Sequence, residues 1–120
     1  MHTNNMLDIS MNLDELVNSV PEIDLRENLS RRIGEWKQDG KDIEVLAYLI
    51  GEWHGNFWFE DTDASNKFHS EFQNFKNAAI DNVGGLTLNE RLYWFGLFEV
   101  WESGNETTHK RLRSKLRANA

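Results

Sequence analysis

The stretch "KDIEVLAYLIGEWHG", residues 41–55, decides the fold class. Ile43, Leu46, Ile50 and Trp53 recur at intervals of three and four, a spacing that gathers side chains on one face of an α-helix. Asp42 stands where an N-cap side chain would take up free first-turn amides. Val45 and Leu49 spread apolar character over most of the helical wheel, so this segment is expected to be the most central helix.

The same period continues on both sides. Upstream, "EIDLRENLSRRIGEWKQDG" (residues 22–40) puts Leu25, Leu29, Ile33 and Trp36 on one stripe. Its acids Glu22, Asp24 and Glu27 come early and Lys37 late, as a helix dipole favours, and Gly40 is expected as a left-handed end. "NLDELVNSV", starting at Asn12, supplies one or two further turns before Pro21 interrupts.

Downstream, "SNKFHSEFQNFKNAAIDNV" (residues 65–83) aligns Phe68, Phe72, Phe75 and Ala79. After Gly84 and Gly85, "TLNE" from Thr87 to Glu90 spells a capping box. It opens "RLYWFGLFEVWES" (residues 91–103), read as one helix ended by Gly104, with Leu92, Phe95, Phe98 and Trp101 inward and Tyr93, Trp94 and Leu97 elsewhere on the wheel. The outer aromatics of so apolar a helix are either enclosed or form a contact surface. A short basic helix over residues 106–117 turns His109, Leu112 and Leu116 inward.

The pattern predicts an all-α fold, an antiparallel bundle of about five main helices with short Gly-containing connections. The 120 residues make one helical domain, with residues 1–11 flexible and 118–120 frayed.

The absence of cysteine excludes disulfides, thiolate metal sites and cysteine nucleophiles. "MHTNNMLDIS" has neither a basic region nor an apolar run of the kind a secretory signal needs, and no apolar stretch is long enough to span a bilayer. A cytoplasmic protein is expected.

The net charge of −7 is unevenly placed. Residues 1–106 carry 20 acidic and 8 basic side chains, a balance of −12, whereas residues 108–120 add five Lys/Arg and no acid. An acidic body disfavours direct contact with phosphate backbones, steers towards basic partners, and offers counter-charges to a terminal basic helix.

"IGEW" occurs twice, at Ile33 to Trp36 and Ile50 to Trp53. The copies are too close for a helical repeat period and share nothing outside the four residues. Both fall in closing turns of predicted helices, which points to packing: isoleucine and tryptophan share a face, and the glycine would let a neighbouring backbone approach.

No motif spells out a reaction. Counting an EF-hand loop from Asp61 puts Asn66 and Phe72 where Gly and Glu are required. None of His2, His54, His69 and His109 forms a His-Glu-x-x-His pair, and neither a Gly-x-Ser-x-Gly elbow nor a phosphate-binding loop is present. Neither a metal nor a cofactor is expected, and no catalytic residue is assigned; His54, beside Trp53 and Trp58, is the histidine best placed to act as a base.

"NFWFEDTDAS" (residues 56–65) is the least helical stretch, expected as a loop with an N-cap at Thr62, Asp63 or Ser65. Its aromatic run followed by acids has the composition of a partner-facing patch. The candidate contact residues are Phe57, Trp58, Glu60, Asp61 and Asp63, with His54 delivered to the same loop.

"LTLNERLYWFGLFEVWESG" (residues 86–104) adds a resemblance. Asn-Glu-Arg-Leu-Tyr, two residues, Gly-Leu, then an aromatic and an acid is similar to a pattern in small acidic bacterial proteins that accompany secreted toxins. In size and charge the chain resembles immunity proteins of contact-dependent growth inhibition systems. The resemblance implies a non-enzymatic protein that binds and neutralises a cognate toxin domain, a basic nuclease being the best match to the charge. Two other readings stand beside it: a regulatory or phage-encoded protein using residues 110–117 on nucleic acid, and a small enzyme with His54 or His69 as base.

Overall fold

The computed structural model describes residues 10–57 and 59–118. Residues 1–9, 119–120 and Trp58 lie outside the described residues, and with them most of the expected flexible start and the aromatic anchor of the candidate loop.

Among the described residues seven α-helices follow one another: α1 (Leu13–Asn18), α2 (Ile23–Gln38), α3 (Ile43–Asn56), α4 (Thr62–Phe75), α5 (Leu88–Trp94), α6 (Phe98–Ser103) and α7 (Glu106–Lys115). A π-helical turn, Lys76–Asp81, continues α4, and a 3₁₀ turn, Val83–Gly85, precedes α5. Among the described residues there is no strand, and no helix is long and apolar enough to cross a membrane. The all-α class stands.

The starts of α1, α3 and α5 were readable. Asn12 and Glu15 form a capping box on α1, as Thr87 and Glu90 do on α5, and Asp42 accepts from the Glu44 and Val45 amides at the head of α3. The cap of α4 is Asp61, one residue before the predicted positions, accepting from Asp63 N. Aspartate captures the first-turn amides wherever the chain turns into the helix, and the run Asp-Thr-Asp offers several such registers.

The predicted fifth helix is two helices, because the chain reverses at Gly96, the one glycine with positive φ among the described residues (+63°). The Leu97 amide bonds the Leu92 carbonyl at 2.9 Å and the Gly96 amide that of Tyr93 at 3.2 Å, the paired bonds of a Schellman ending. Leu92 and Leu97 supply the apolar contact across it, and both are fully buried. The break rotates everything after it: Leu97 goes into the core, while Phe98 is 40% exposed. The wheel that placed Phe98 inside and Leu97 elsewhere assumed an unbroken helix.

One continuous core joins α1 to α7. Leu29, Ile33 and Trp36 of α2 meet Ile43, Leu46, Ile50 and Trp53 of α3, and Phe68, Phe72 and Phe75 of α4 close on them. Trp36 donates from Nε1 to the Asp42 carbonyl (2.9 Å) and lies 5.9 Å from Phe95; Trp53 donates to Asn28 Oδ1 (3.1 Å). The four apolar IGEW positions are buried as expected.

The glycines of IGEW do something else. A Cβ added at Gly34 or Gly51 meets no atom within 4 Å, so no backbone approaches there and the packing account of these glycines fails. Nor is Gly40 left-handed: Asp39 ends α2 in an extended conformation. α3 is also less central than its composition implied, since Val45 and Tyr48 face outward, Tyr48 at 70% exposure.

Candidate partner-binding surface

The chain between α3 and α4 is pinned from within. Phe57 caps α3, half-buried, with its ring stacked on Trp53 at 5.8 Å and the Arg32 guanidinium 5.7 Å from its centre. Phe59 is buried against Trp53 and Phe68, at 5.9 and 5.7 Å. Aromatic alternation thus nails a short loop to the core on both sides of residue 58, and each ring pair adds roughly 0.5–1.5 kcal/mol to the burial itself. The Glu60 amide donates to Glu22 Oε2 (3.0 Å) and fixes the loop to the head of α2.

What the loop presents outward is acidic. Glu60, Asp61 and Asp63 are exposed. Among the described residues, the ion pairs engage Asp14, Asp39, Asp42, Glu44 and Asp81 and include none of these three. Asp61 serves as the α4 cap, and among the described residues no cation pairs with Glu60 or Asp63.

His54 sits beneath this edge. Its Nε2 is 3.0 Å from Ser65 Oγ, and its ring lies 5.0 Å from Phe68, 5.4 Å from Phe59 and 6.2 Å from His69. Burial among these rings pushes its pKa below the ordinary histidine value, and the neighbouring His69 pushes it the same way, against a hydrogen bond to the Ser65 backbone. A cavity of about 170 Å³ opens here, lined by His54, Gly55, Phe57, Phe59, Thr62 and Ser65.

The outer face of α3 runs into the same loop and was missed in the sequence. Glu44, Val45, Tyr48, Gly51, Glu52 and Gly55 lie along one side of the helix and all are exposed. Like Gly51, Gly55 would hold a Cβ with nothing within 4 Å. An exposed tyrosine beside mid-helix glycines that serve no internal packing was visible as "YLIGEWHG", once the glycines are assigned to the outward side.

The basic terminal helix is largely spoken for. Lys115 is 1% exposed and donates to the carbonyls of Trp36 and Lys41 and to Asp39 Oδ1 (3.0 Å), with its ammonium 4.0 Å from the Trp36 ring centre. Burial pushes its pKa down, and Asp39 pulls it back up. Arg117 pairs with Asp42 (3.0 Å) and Glu44 (2.7 Å), Arg111 donates to the Gln38 carbonyl (2.8 Å), and Arg113 lies over Trp101. Lys110 is exposed.

Arg91, also buried, donates to the Leu116 and Arg117 carbonyls (2.9 and 2.6 Å) and so caps α7. A wider groove of about 780 Å³ lies against α6 and α7, lined by Glu99, Glu102, Ser103, Thr108 and Arg111 among others, remote in sequence from the loop. Among the described residues, no group of three or more potential metal ligands converges. Comparison of the chain with protein-family models, curated proteins and solved structures returned no match.

Proposed function

We propose that this protein is a cytoplasmic immunity or inhibitor protein that binds and neutralises a cognate toxin domain with a basic surface, a nuclease being the class that fits best. The observation that carries the reading is the loop of residues 57–63: a core-anchored ledge whose outward acids, Glu60 and Asp63, have no counter-charge among the described residues. Exposed, unneutralised acids on a fixed ledge are arranged for a cationic partner, because little ordering entropy remains to be lost on binding. Nucleases carry positive surfaces for a polyanionic substrate, and the −12 balance of residues 1–106 complements them.

In this reading the helical scaffold, with α2 and α3 antiparallel across their short turn, holds Phe57 and His54 behind the acids, and Trp58 belongs to the same contact. The outer face of α3 extends it, with Tyr48 as anchor and Gly51 and Gly55 admitting the partner's backbone. The resemblance of residues 86–104 to immunity proteins of contact-dependent growth inhibition systems points the same way.

The nucleic-acid reading has less to stand on, since Arg111, Arg113, Lys115 and Arg117 already hold internal partners. The test is protection: cells expressing the proposed cognate toxin domain should survive with the wild-type chain and die with the folded triple variant E60Q/D61N/D63N. Full protection by that variant would remove the loop from the contact.

A further inference from the structure

Ser65 lies in the first turn of α4, and its Oγ is 3.0 Å from His54 Nε2 at the wall of the 170 Å³ cavity. The two residues come from different helices, α4 and α3, and both are half-buried. Rings of Phe59 and Phe68 hold the imidazole from two sides, so its orientation towards the hydroxyl is fixed by packing. Phe57, Phe59 and Thr62 line the cavity together with the pair, so its wall is part apolar and part polar.

We propose that Ser65 and His54 form a nucleophile and base pair that accepts a short acyl group from an activated ester. Ser65 Oγ bonds to the ester carbonyl carbon as its proton passes to His54 Nε2. The bond from carbon to the leaving oxygen then breaks, and the departing alkoxide takes that proton, leaving an acyl-serine and an alcohol. Water, deprotonated by the same imidazole, returns the serine and releases the acid. The recess of about 170 Å³ has room for an acyl group of a few carbons.

A base of this kind must be neutral at the working pH, and the burial of His54 favours that form. Among the described residues, no carboxylate forms an ion pair with His54. The pair therefore lacks the orienting third group of a hydrolase triad, and slow, stoichiometric acylation is expected in place of fast turnover.

The probe is p-nitrophenyl acetate with the full chain, read by intact-protein and peptide mass spectrometry. One acetyl group on Ser65 is expected, at a rate that rises with pH and levels off below the ordinary histidine value of 6.5. S65A should abolish that modification while lysine acetylation elsewhere stays the same. H54Q, checked for an intact helical spectrum, should slow it by at least about 100-fold; if H54Q unfolds, S65A and the pH profile decide. An unmodified Ser65 in the wild type, or a rate that reaches no plateau and still rises with pH between about 6.5 and 8, would overturn the proposal and leave the pair a structural hydrogen bond. The assay uses no partner protein, so its outcome is separate from that of the immunity reading.

Discussion

Lys115 shows what a single buried cation does here. It joins three acceptors from the end of α2 and the turn after it, so the terminal helix is tied to the middle of the chain by one side chain. Replacing it with methionine keeps the stem's packing but removes its bonds to the Trp36 and Lys41 carbonyls, the first of which keeps only the longer bond from the Asp39 amide (3.3 Å), while Asp39, 35% exposed, can turn to water. K115M should lose about 2–3 kcal/mol of stability, measured by urea unfolding.

His54 gives a residue-scale dependence on pH. Its pKa is lowered in the folded state, so below the ordinary value of 6.5 the unfolded chain binds the proton more readily. Stability should be independent of this group above that value and fall as pH drops through it. Unfolding curves between about pH 7.5 and 5.5 should show the loss in the wild type and a flatter profile in H54Q.

At the scale of elements, glycine separates two roles. Gly96 is required: its φ of +63° is costly for other residues, and a Cβ would collide with the Asp14 carboxylate, itself paired to Lys37. G96A should destabilise by about 1–2 kcal/mol. Gly51 is the reverse case, a helix-interior glycine with open space around it. G51A should stabilise the free protein by about 0.5–1 kcal/mol in thermal melts, and on the present reading it should weaken partner binding.

How much of this was legible follows the same division. Helix starts were written locally, in Asn12, Asp42 and Thr87 with Glu90, because a cap needs only residues within one turn. The inward stripes of α2, α3 and α4 were legible through their spacing. The split between α5 and α6 was written too, as Leu-x-x-Phe-Gly-Leu from Leu92 to Leu97, but periodicity alone reads through a Schellman ending. The burial of Lys115 was not legible, since three acceptors at sequence distances of more than seventy residues must converge to make it tolerable. Of the candidate surface, the acids were readable from composition, whereas the inward turn of Phe57 and Phe59 required the fold.

For the whole molecule, charge is distributed so that the body's acids are partly spent on the basic tail. Asp39, Asp42 and Glu44 take Lys115 and Arg117, while Glu60, Asp61 and Asp63 are among the exposed acids that pair with no cation among the described residues. Association through that edge should weaken as salt rises, because exposed charges are screened over about 8–10 Å at physiological ionic strength. The most direct measurement is calorimetric titration of the proposed partner, a basic nuclease toxin domain, with the wild-type chain and with E60Q/D61N/D63N, which removes charge while D61N keeps a side-chain oxygen for the α4 cap. The account predicts tight binding by the wild type, and at least about 30-fold weaker binding by the variant at unchanged melting temperature. Equal affinities, or no binding of that domain by the wild-type chain, would contradict it.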